Sequence, residues 1–186
     1  MRIIAGRHRG RALRVSPGGA VRPTAARTRE ALFDILSHAG FAERDRIADA
    51  RVLDAFAGSG ALGLEALSRG AAAATFLERD RATRLLLEAN IRHLGEEARA
   101  TVLAANALYP PRAASLCDLV LMDPPYGEDV AAPALVALAA QGWIAPGAII
   151  ALELPAKPDF APPAGFALLD ERRYGRARLL FLSHAG

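Results

Sequence analysis

The sequence predicts an α/β fold built on a mostly parallel sheet, and three observations predict it. Short apolar, strand-like runs alternate with helical segments from residue 51 onward. The first run leads into a glycine-rich turn, Ala57-Gly58-Ser59-Gly60, that opens a helix. The chain has 186 residues, 52% hydrophobic and 23% charged, enough for one compact domain with a sizeable core.

The elements follow in order. Residues 2–5 and 11–15 are β-like runs around Gly6-Arg7-His8-Arg9-Gly10 and predict a basic hairpin. Pro17-Gly18-Gly19 reads as a turn or hinge, so residues 1–20 are expected to form an N-terminal extension on a unit spanning 21–186. Pro23-Thr24 opens a helix with Thr24 as its N-cap and Ala31, Leu32, Ile35 and Leu36 along one face. Arg51 to Phe56 is the first buried strand, and residues 61–68 form a helix that stops at Gly70. Ala74 to Glu78 is the second strand. Asp80 caps a helix running to Gly95, with Leu87, Ile91 and Leu94 aligned. Residues 100–104 and 118–123 give two more strands, 131–140 a helix, and 148–153 a fifth strand. Residues 166–173 and 177–182, split by Gly175, predict a closing hairpin. Ligands of such sheets sit at the carboxyl ends of the strands.

Composition removes several classes. A single cysteine, Cys117, excludes a disulfide framework and a cysteine-rich zinc module, and predicts a reducing compartment. His38, His93 and His184 show no metal spacing, so no metal is expected. The opening residues carry no apolar run of signal-peptide length, which predicts a cytoplasmic protein. No charge lies between Asp129 and Glu153, but Pro133, Gln141, Gly142, Pro146 and Gly147 break that window. It reads as a short helix, a turn and a buried strand rather than a membrane span.

The net charge of +3 hides an asymmetry. Residues 1–30 carry eight arginines and one acid, a net of +7, and the rest of the chain carries −4. A basic N-terminus on an acidic body points to a polyanionic partner. Arg7, Arg9, Arg11 and Arg14 are candidate contacts to RNA phosphates, with a merely solvated basic arm as the competing reading. Lys157 is the sole lysine among 23 basic residues, an imbalance that a codon bias toward arginine would also produce.

Two motifs carry chemistry. Gly58, Gly60 and Gly63 match the spacing of a nucleotide-binding turn, and Glu78 ends the second strand where it can hold ribose hydroxyls. Alone this implies an adenosine-containing cofactor, or a tight turn with no ligand. Asp54 argues against a dinucleotide, because a carboxylate beside the loop would repel a pyrophosphate and suits a ligand with an amino group and a sulfonium. The second motif is more specific. Leu119 to Met122 ends in Asp123-Pro124-Pro125-Tyr126-Gly127. Two prolines fix φ and remove two backbone donors, leaving carbonyls, an acid and an aromatic grouped at a strand end. An exocyclic base amine is a poor nucleophile because its lone pair is delocalised into the ring. Acceptors on its N–H bonds, here Asp123 and the Pro124 carbonyl, favour the pyramidal nitrogen that attacks. Tyr126 can stack on a flipped base.

These motifs together with Arg22-Pro23-Thr24-x-x-Arg27-x-Arg29-Glu30 and Phe56 to Ala66 resemble the bacterial 16S ribosomal RNA guanine-N2 methyltransferases known as the RsmD family, over essentially the whole chain. The resemblance implies a Rossmann-like class I methyltransferase: a seven-stranded, mostly parallel sheet with helices on both faces. It implies S-adenosylmethionine as cofactor, with Asp54, Gly58 and Gly60 around its methionine end, Glu78 on the ribose, Asn106-Ala107 at the adenine, and Phe56 as a further cofactor-binding residue. Asp123, Pro124, Pro125 and Tyr126 would form the target-base pocket, and Arg22, Thr24, Arg27 and Arg29 join Arg7, Arg9 and Arg11 as RNA contacts. The implied partner is 16S rRNA or the assembling 30S subunit, and a monomer is the default expectation. The rival readings are an adenine-N6 or cytosine-N4 methyltransferase, a non-catalytic RNA-binding assembly factor, and a nicotinamide-dependent oxidoreductase. Cys117 and Trp143 are expected to be structural, and His8 to be exposed in its turn.

Overall fold

The computed structural model describes residues 1–15, 23–38, 45–125 and 129–186, the side chains of 23–25 excepted. The Pro17-Gly18-Gly19 turn, Arg22 and Tyr126 lie outside the described residues, as does the side chain of Thr24.

Among the described residues a single seven-stranded sheet has the order β3-β2-β1-β4-β5-β7-β6. Its strands are β1 (Arg51–Asp54), β2 (Ala73–Leu77), β3 (Ala100–Leu103), β4 (Cys117–Met122), β5 (Ile144–Pro155), β6 (Phe166–Tyr174) and β7 (Ala177–His184). The first five run parallel, and β7 inserts antiparallel between β5 and β6. The order reverses at β1, whose neighbours are β2 and β4, so the switch point falls where the glycine turn and the Asp123 motif end their strands. This is the Rossmann-like fold of the class I methyltransferases.

Alternation along the strands feeds two cores. Val52, Phe76, Leu119, Leu121 and Phe181 face helices α1 (Pro23–His38), α2 (Ala61–Ser68) and α3 (Arg81–Leu94) through Leu32, Phe33, Leu64, Leu67, Leu87 and Ile91. Leu53, Val120, Met122, Ile150 and Leu182 face the other side. There one helix, α4 (Ala131–Ala140), shares the cover with Trp143 and the segment around Ala107 and Leu108. Helices lie on both faces, unequally.

Three boundaries differ from the sequence reading. The first helix starts at Pro23, so Thr24 lies inside its first turn and not at the cap. The strand expected at 148–153 extends back to Ile144, because Cys117 pairs with Ile144 before a register shift and its N–H donates to the Trp143 carbonyl at 2.8 Å. Trp143 is itself buried, its indole N–H donating to the Pro111 carbonyl at 2.8 Å. The N-terminal segment is a hairpin closed by one bridge, Arg2 to Ala12, with a 3₁₀ turn at Gly6–His8.

That hairpin is not a free arm. Ile3 and Leu13 are buried in the α1–α3 core. Glu65, fully buried in α2, accepts from the Ile4 and Ala5 amides at 2.8 and 2.9 Å. Ser68 takes the His8 amide at 3.0 Å and gives its hydroxyl to the Ala5 carbonyl at 2.6 Å. At the far end the Asn90 amide group accepts from Arg14 N–H and donates to the carbonyls of Arg14 and of Ser59 in the glycine turn. One α3 side chain thus ties the basic segment to the turn that follows β1.

Candidate active site

Strand β1 ends at Asp54, and the chain turns through Ala57-Gly58-Ser59-Gly60 into α2. Gly58 has φ +53° with open space where a side chain would point. Gly60 has φ +83°, and a Cβ there would meet Leu87 at 2.4 Å. A Cβ on Gly63 would meet the Phe76 ring at 2.3 Å. So the three glycines serve different ends. Gly58 leaves room on the open side, while Gly60 and Gly63 let α2 close against α3 and β2.

The turn, the end of β2, the 105–108 segment and the end of β4 enclose a cavity of about 350 Å³. Phe56, Gly58, Glu78, Asn106, Ala107, Asp123 and Pro125 line it, all of them singled out in the sequence. Arg79, Asp80, Leu108 and Val130 line it too and were not anticipated. Arg79 and Asp80 follow Glu78 directly, which is the signal that could have found them.

Other expected members stand apart. Asp54 is 1% exposed beneath the turn and does not line the cavity. One of its oxygens, Oδ2, accepts from Gly63 N–H at 2.9 Å, and Oδ1 has no hydrogen-bond partner among the described residues. Gly60 likewise packs on Leu87 instead of the cavity. Pro124 is buried and borders a neighbouring cavity.

Charge is arranged with purpose around the opening. Glu78 accepts from Gly58 N–H at 3.0 Å and Asp80 N–H at 2.8 Å, holding its carboxylate at the cavity wall. Asn106 Oδ1 accepts from Leu108 N–H at 3.1 Å, which shapes the far rim and leaves the amide donors without a partner among the described residues. Asp54 is pushed up to about 7 by burial, eased by the Gly63 N–H and raised further by Glu78. Asp123 is also pushed up to about 7, by the protein packed around it and then by Glu153 and Asp54. Asp123 is exposed at the cleft, but both neighbouring carboxylates push the same way, so the upward direction does not hang on burial alone. Two carboxyls that resist ionisation beside an open cavity make a place where positive charge is welcome.

The arginines divide. Arg9 and Arg27 are exposed and make no ion pair or hydrogen bond through their side chains among the described residues. Arg7 is half exposed and pairs with Glu96 at 2.7 Å, and Arg11 donates to the His93 carbonyl at 2.6 Å. Arg29 is a correction. It is 7% exposed and donates to the Arg2 carbonyl at 2.7 Å, so it braces the N-terminal hairpin and has little surface to offer a polyanion. His8 is another: it is buried, and its Nε2 meets Glu96 at 2.5 Å. Cys117 is buried with its thiol pushed up to about 12, as an inert core residue should be. Among the described residues no group of three or more His, Cys, Asp or Glu could hold a metal, and no helix is long and apolar enough to cross a membrane.

A class I methyltransferase fold whose cofactor-side turn and Asp-Pro-Pro motif meet in one cavity defines the class of protein. The family model described as "Conserved hypothetical protein 95" matches residues 1–183, and the chain belongs to that family, the RsmD family. Ribosomal RNA small subunit methyltransferase D of Escherichia coli strain K12 is 41% identical over 154 residues, covering 82% of this chain and 74% of that protein. The enzyme of the same name from Haemophilus influenzae is 36% identical over 179 residues, covering 94% and 89%. The solved structure of yhhF from Escherichia coli is similar with a TM-score of 0.84 at 36% identity, over 100% of this chain and 98% of that one.

Proposed function

We propose that the protein transfers a methyl group from S-adenosylmethionine to the exocyclic N2 of a guanine in 16S rRNA. The observation that carries this reading is the single cavity shared by Gly58, Glu78, Asn106, Asp123 and Pro125. It joins a nucleoside-binding wall to an amine-orienting one. Relatives named as small-subunit ribosomal RNA methyltransferases support the RNA as substrate.

The residues fit the cofactor. Buried Asp54 Oδ1 lacks a partner among the described residues, and two carboxyls raised to about 7 call for a cation nearby. S-adenosylmethionine, when bound, supplies an electrophilic methyl on a sulfonium. Glu78 takes the ribose hydroxyls on its remaining lone pairs, and Asn106 and Ala107 line the adenine end. Gly58 gives close approach without a side chain. Asp54 works at range from beneath the turn, as a counter-charge and not as a direct ligand.

Asp123 and the Pro124 carbonyl accept the N–H bonds of the target amine, which aims its lone pair into the cavity. Asp123 holds the proton released as the new N–C bond forms. Tyr126, assigned from sequence, stacks on the base. Rate enhancement then comes mainly from positioning and from fixed negative charge around the cavity. Arg9 and Arg27, exposed and unpaired among the described residues, meet RNA phosphates. The protein acts as a cytoplasmic monomer, with residues 1–20, whose hairpin packs on α1 to α3, as the RNA-binding extension of the 21–186 catalytic unit.

Methyl transfer from labelled S-adenosylmethionine to unmodified 30S subunits and to naked 16S RNA, followed by nucleoside analysis, tests this. N2-methylguanosine is expected. Methyladenosine or methylcytidine moves the chemistry to another amine, and cofactor binding without transfer to either RNA rejects the proposal.

A further inference from the structure

Across Pro125 from the cofactor-side cavity lies a second cavity of about 280 Å³. Pro125 borders both cavities, and Pro124 joins it on the second. The rest of the wall comes from Asp129 and Ala131 at the start of α4, from the end of β5 and the segment after it, including Leu154, Lys157, Asp159 and Phe160, and from Arg178 of β7, so two carboxylates border it as well as two cations. Pockets for drug-sized ligands run to about 300–1,000 Å³, so this one suits a single planar ring system. Its apolar surfaces, prolines on one side and Phe160 among the others, suit the faces of a base.

The two cations here are not equivalent. Arg178 is 2% exposed, donates to the Pro158 carbonyl, and lies 3.7 Å from the carboxylates of Asp159 and Glu171. Its charge is spent inside the protein, where it pins the segment that carries Lys157. Lys157 is exposed and makes no hydrogen bond or ion pair among the described residues. It is also the one lysine in a chain with 22 arginines. An ammonium is a compact donor that can meet a single carbonyl oxygen, whereas a guanidinium fork seeks two acceptors.

We infer that the second cavity receives the target guanine and that Lys157 donates to its O6, a specificity contact that rests on the guanine-N2 reading above. Guanine carries a carbonyl at the ring position where adenine carries an amine. With O6 held by Lys157, the N2 amine at the other end of the same base edge turns toward Pro124 and Asp123. An adenine presented the same way sets its amine against the ammonium, donor against donor.

The test uses reconstituted small subunits whose methylated nucleotide, mapped with the wild-type protein, is either guanine or 2,6-diaminopurine. The analogue keeps the N2 amine and replaces O6 with an amine. Wild type is expected to prefer guanine by about 10-fold or more in kcat/KM, the size of a good base contact. Lys157→Gln, whose amide can donate to O6 or accept from the amine, is expected to bring the two within about threefold. An unchanged thermal midpoint and unchanged S-adenosylmethionine affinity show that the variant is folded. If wild type does not distinguish the two bases, the inference is wrong. If Lys157→Gln weakens both substrates equally and lowers the salt dependence by about one charge, Lys157 is a phosphate contact and the inference is equally wrong. A wild-type product other than N2-methylguanosine overturns the guanine reading and this inference together. N2-methylguanosine with an unchanged base preference in Lys157→Gln overturns only the inference.

Discussion

Two pairs of carboxylates in this molecule are handled in opposite ways. Glu65 and Glu96 are almost wholly buried and fully engaged. Glu65 accepts from two amides of the N-terminal hairpin and from Arg69 at 2.9 Å. Glu96 gathers Arg7, His8 and Arg99. Asp54, near the switch point of the sheet, leaves Oδ1 without a hydrogen-bond partner among the described residues, and both it and the exposed Asp123 beside it are pushed up to about 7. The engaged pair fastens the basic hairpin to α2 and to the turn that follows α3. In the function we propose, the other pair holds negative charge that an incoming cation relieves. Burial alone therefore does not mark a working carboxylate, and lack of compensation marks it better.

The most direct way to break that contrast is to remove one member from each side. Asp123→Asn keeps the shape and removes the proton acceptor. Methyl transfer to 30S subunits should fall by about 100-fold to 10,000-fold, with RNA affinity changed less than threefold in a filter-binding assay. A purely structural or assembly role would leave both numbers alone. Glu65→Ala should act the other way round. It strands two amides and leaves Arg69 with only its longer ion pair to Asp34 at 3.6 Å, which costs about 3 kcal/mol of folding stability. For a chain of this length that lowers the melting temperature on the order of 10 °C, with kcat spared below the transition. Equal damage to kcat and stability in both variants would erase the distinction between the two pairs.

A finer probe lies inside the glycine turn. Gly60→Ala forces a side chain into a left-handed backbone and onto Leu87, so it should lose about 1–3 kcal/mol of stability. Gly58→Ala has the same backbone problem but open space, so it should lose about 1–2 kcal/mol and weaken cofactor binding more than Gly60→Ala does. Calorimetric unfolding and cofactor titration of the two variants separate packing from ligand approach.

The sheet and its helices were legible because their signals are local. Gly60 and Gly70 bracket α2, Asp80 caps α3 through Thr83 N–H at 2.8 Å, and Gly175 splits the last hairpin. The cavity was legible in outline because its parts sit at strand ends. What stayed hidden depends on partners far along the chain. His8 reads as an exposed turn residue until Glu96, 88 positions away, is brought to it. Arg29 looked like an RNA contact because it sits in an arginine-rich motif, yet the hairpin's own carbonyl takes it. The spacing of Gly60 and Gly63 suggested a ligand, where Leu87 and Phe76 supply the physical requirement. Lys157 and Phe160 come beside Pro124 only through the sheet's C-terminal half.

The smallest expected effect is the pH dependence of stability, and it bears on the same contrast. An unfolded aspartate ionises at about 3.9, whereas Asp54 and Asp123 in the folded chain do so at about 7. Between about pH 4 and pH 7 the folded state therefore holds protons that the unfolded state has released. Stability contributed by buried Asp54 falls as pH rises through that window and levels off above it, and Asp123, exposed to solvent that screens its charge, adds a smaller share in the same direction. The melting temperature without ligand should drop by a few degrees between pH 5 and pH 8, and Asp54→Asn should flatten part of that slope. S-adenosylmethionine brings a sulfonium, and its product S-adenosylhomocysteine brings a neutral thioether. If the two carboxylates are the counter-charge, the stabilisation by the first over the second grows as pH passes 7. A difference that stays flat from pH 6 to pH 8 would mean that the two carboxyls are not the counter-charge and that the cation is met elsewhere.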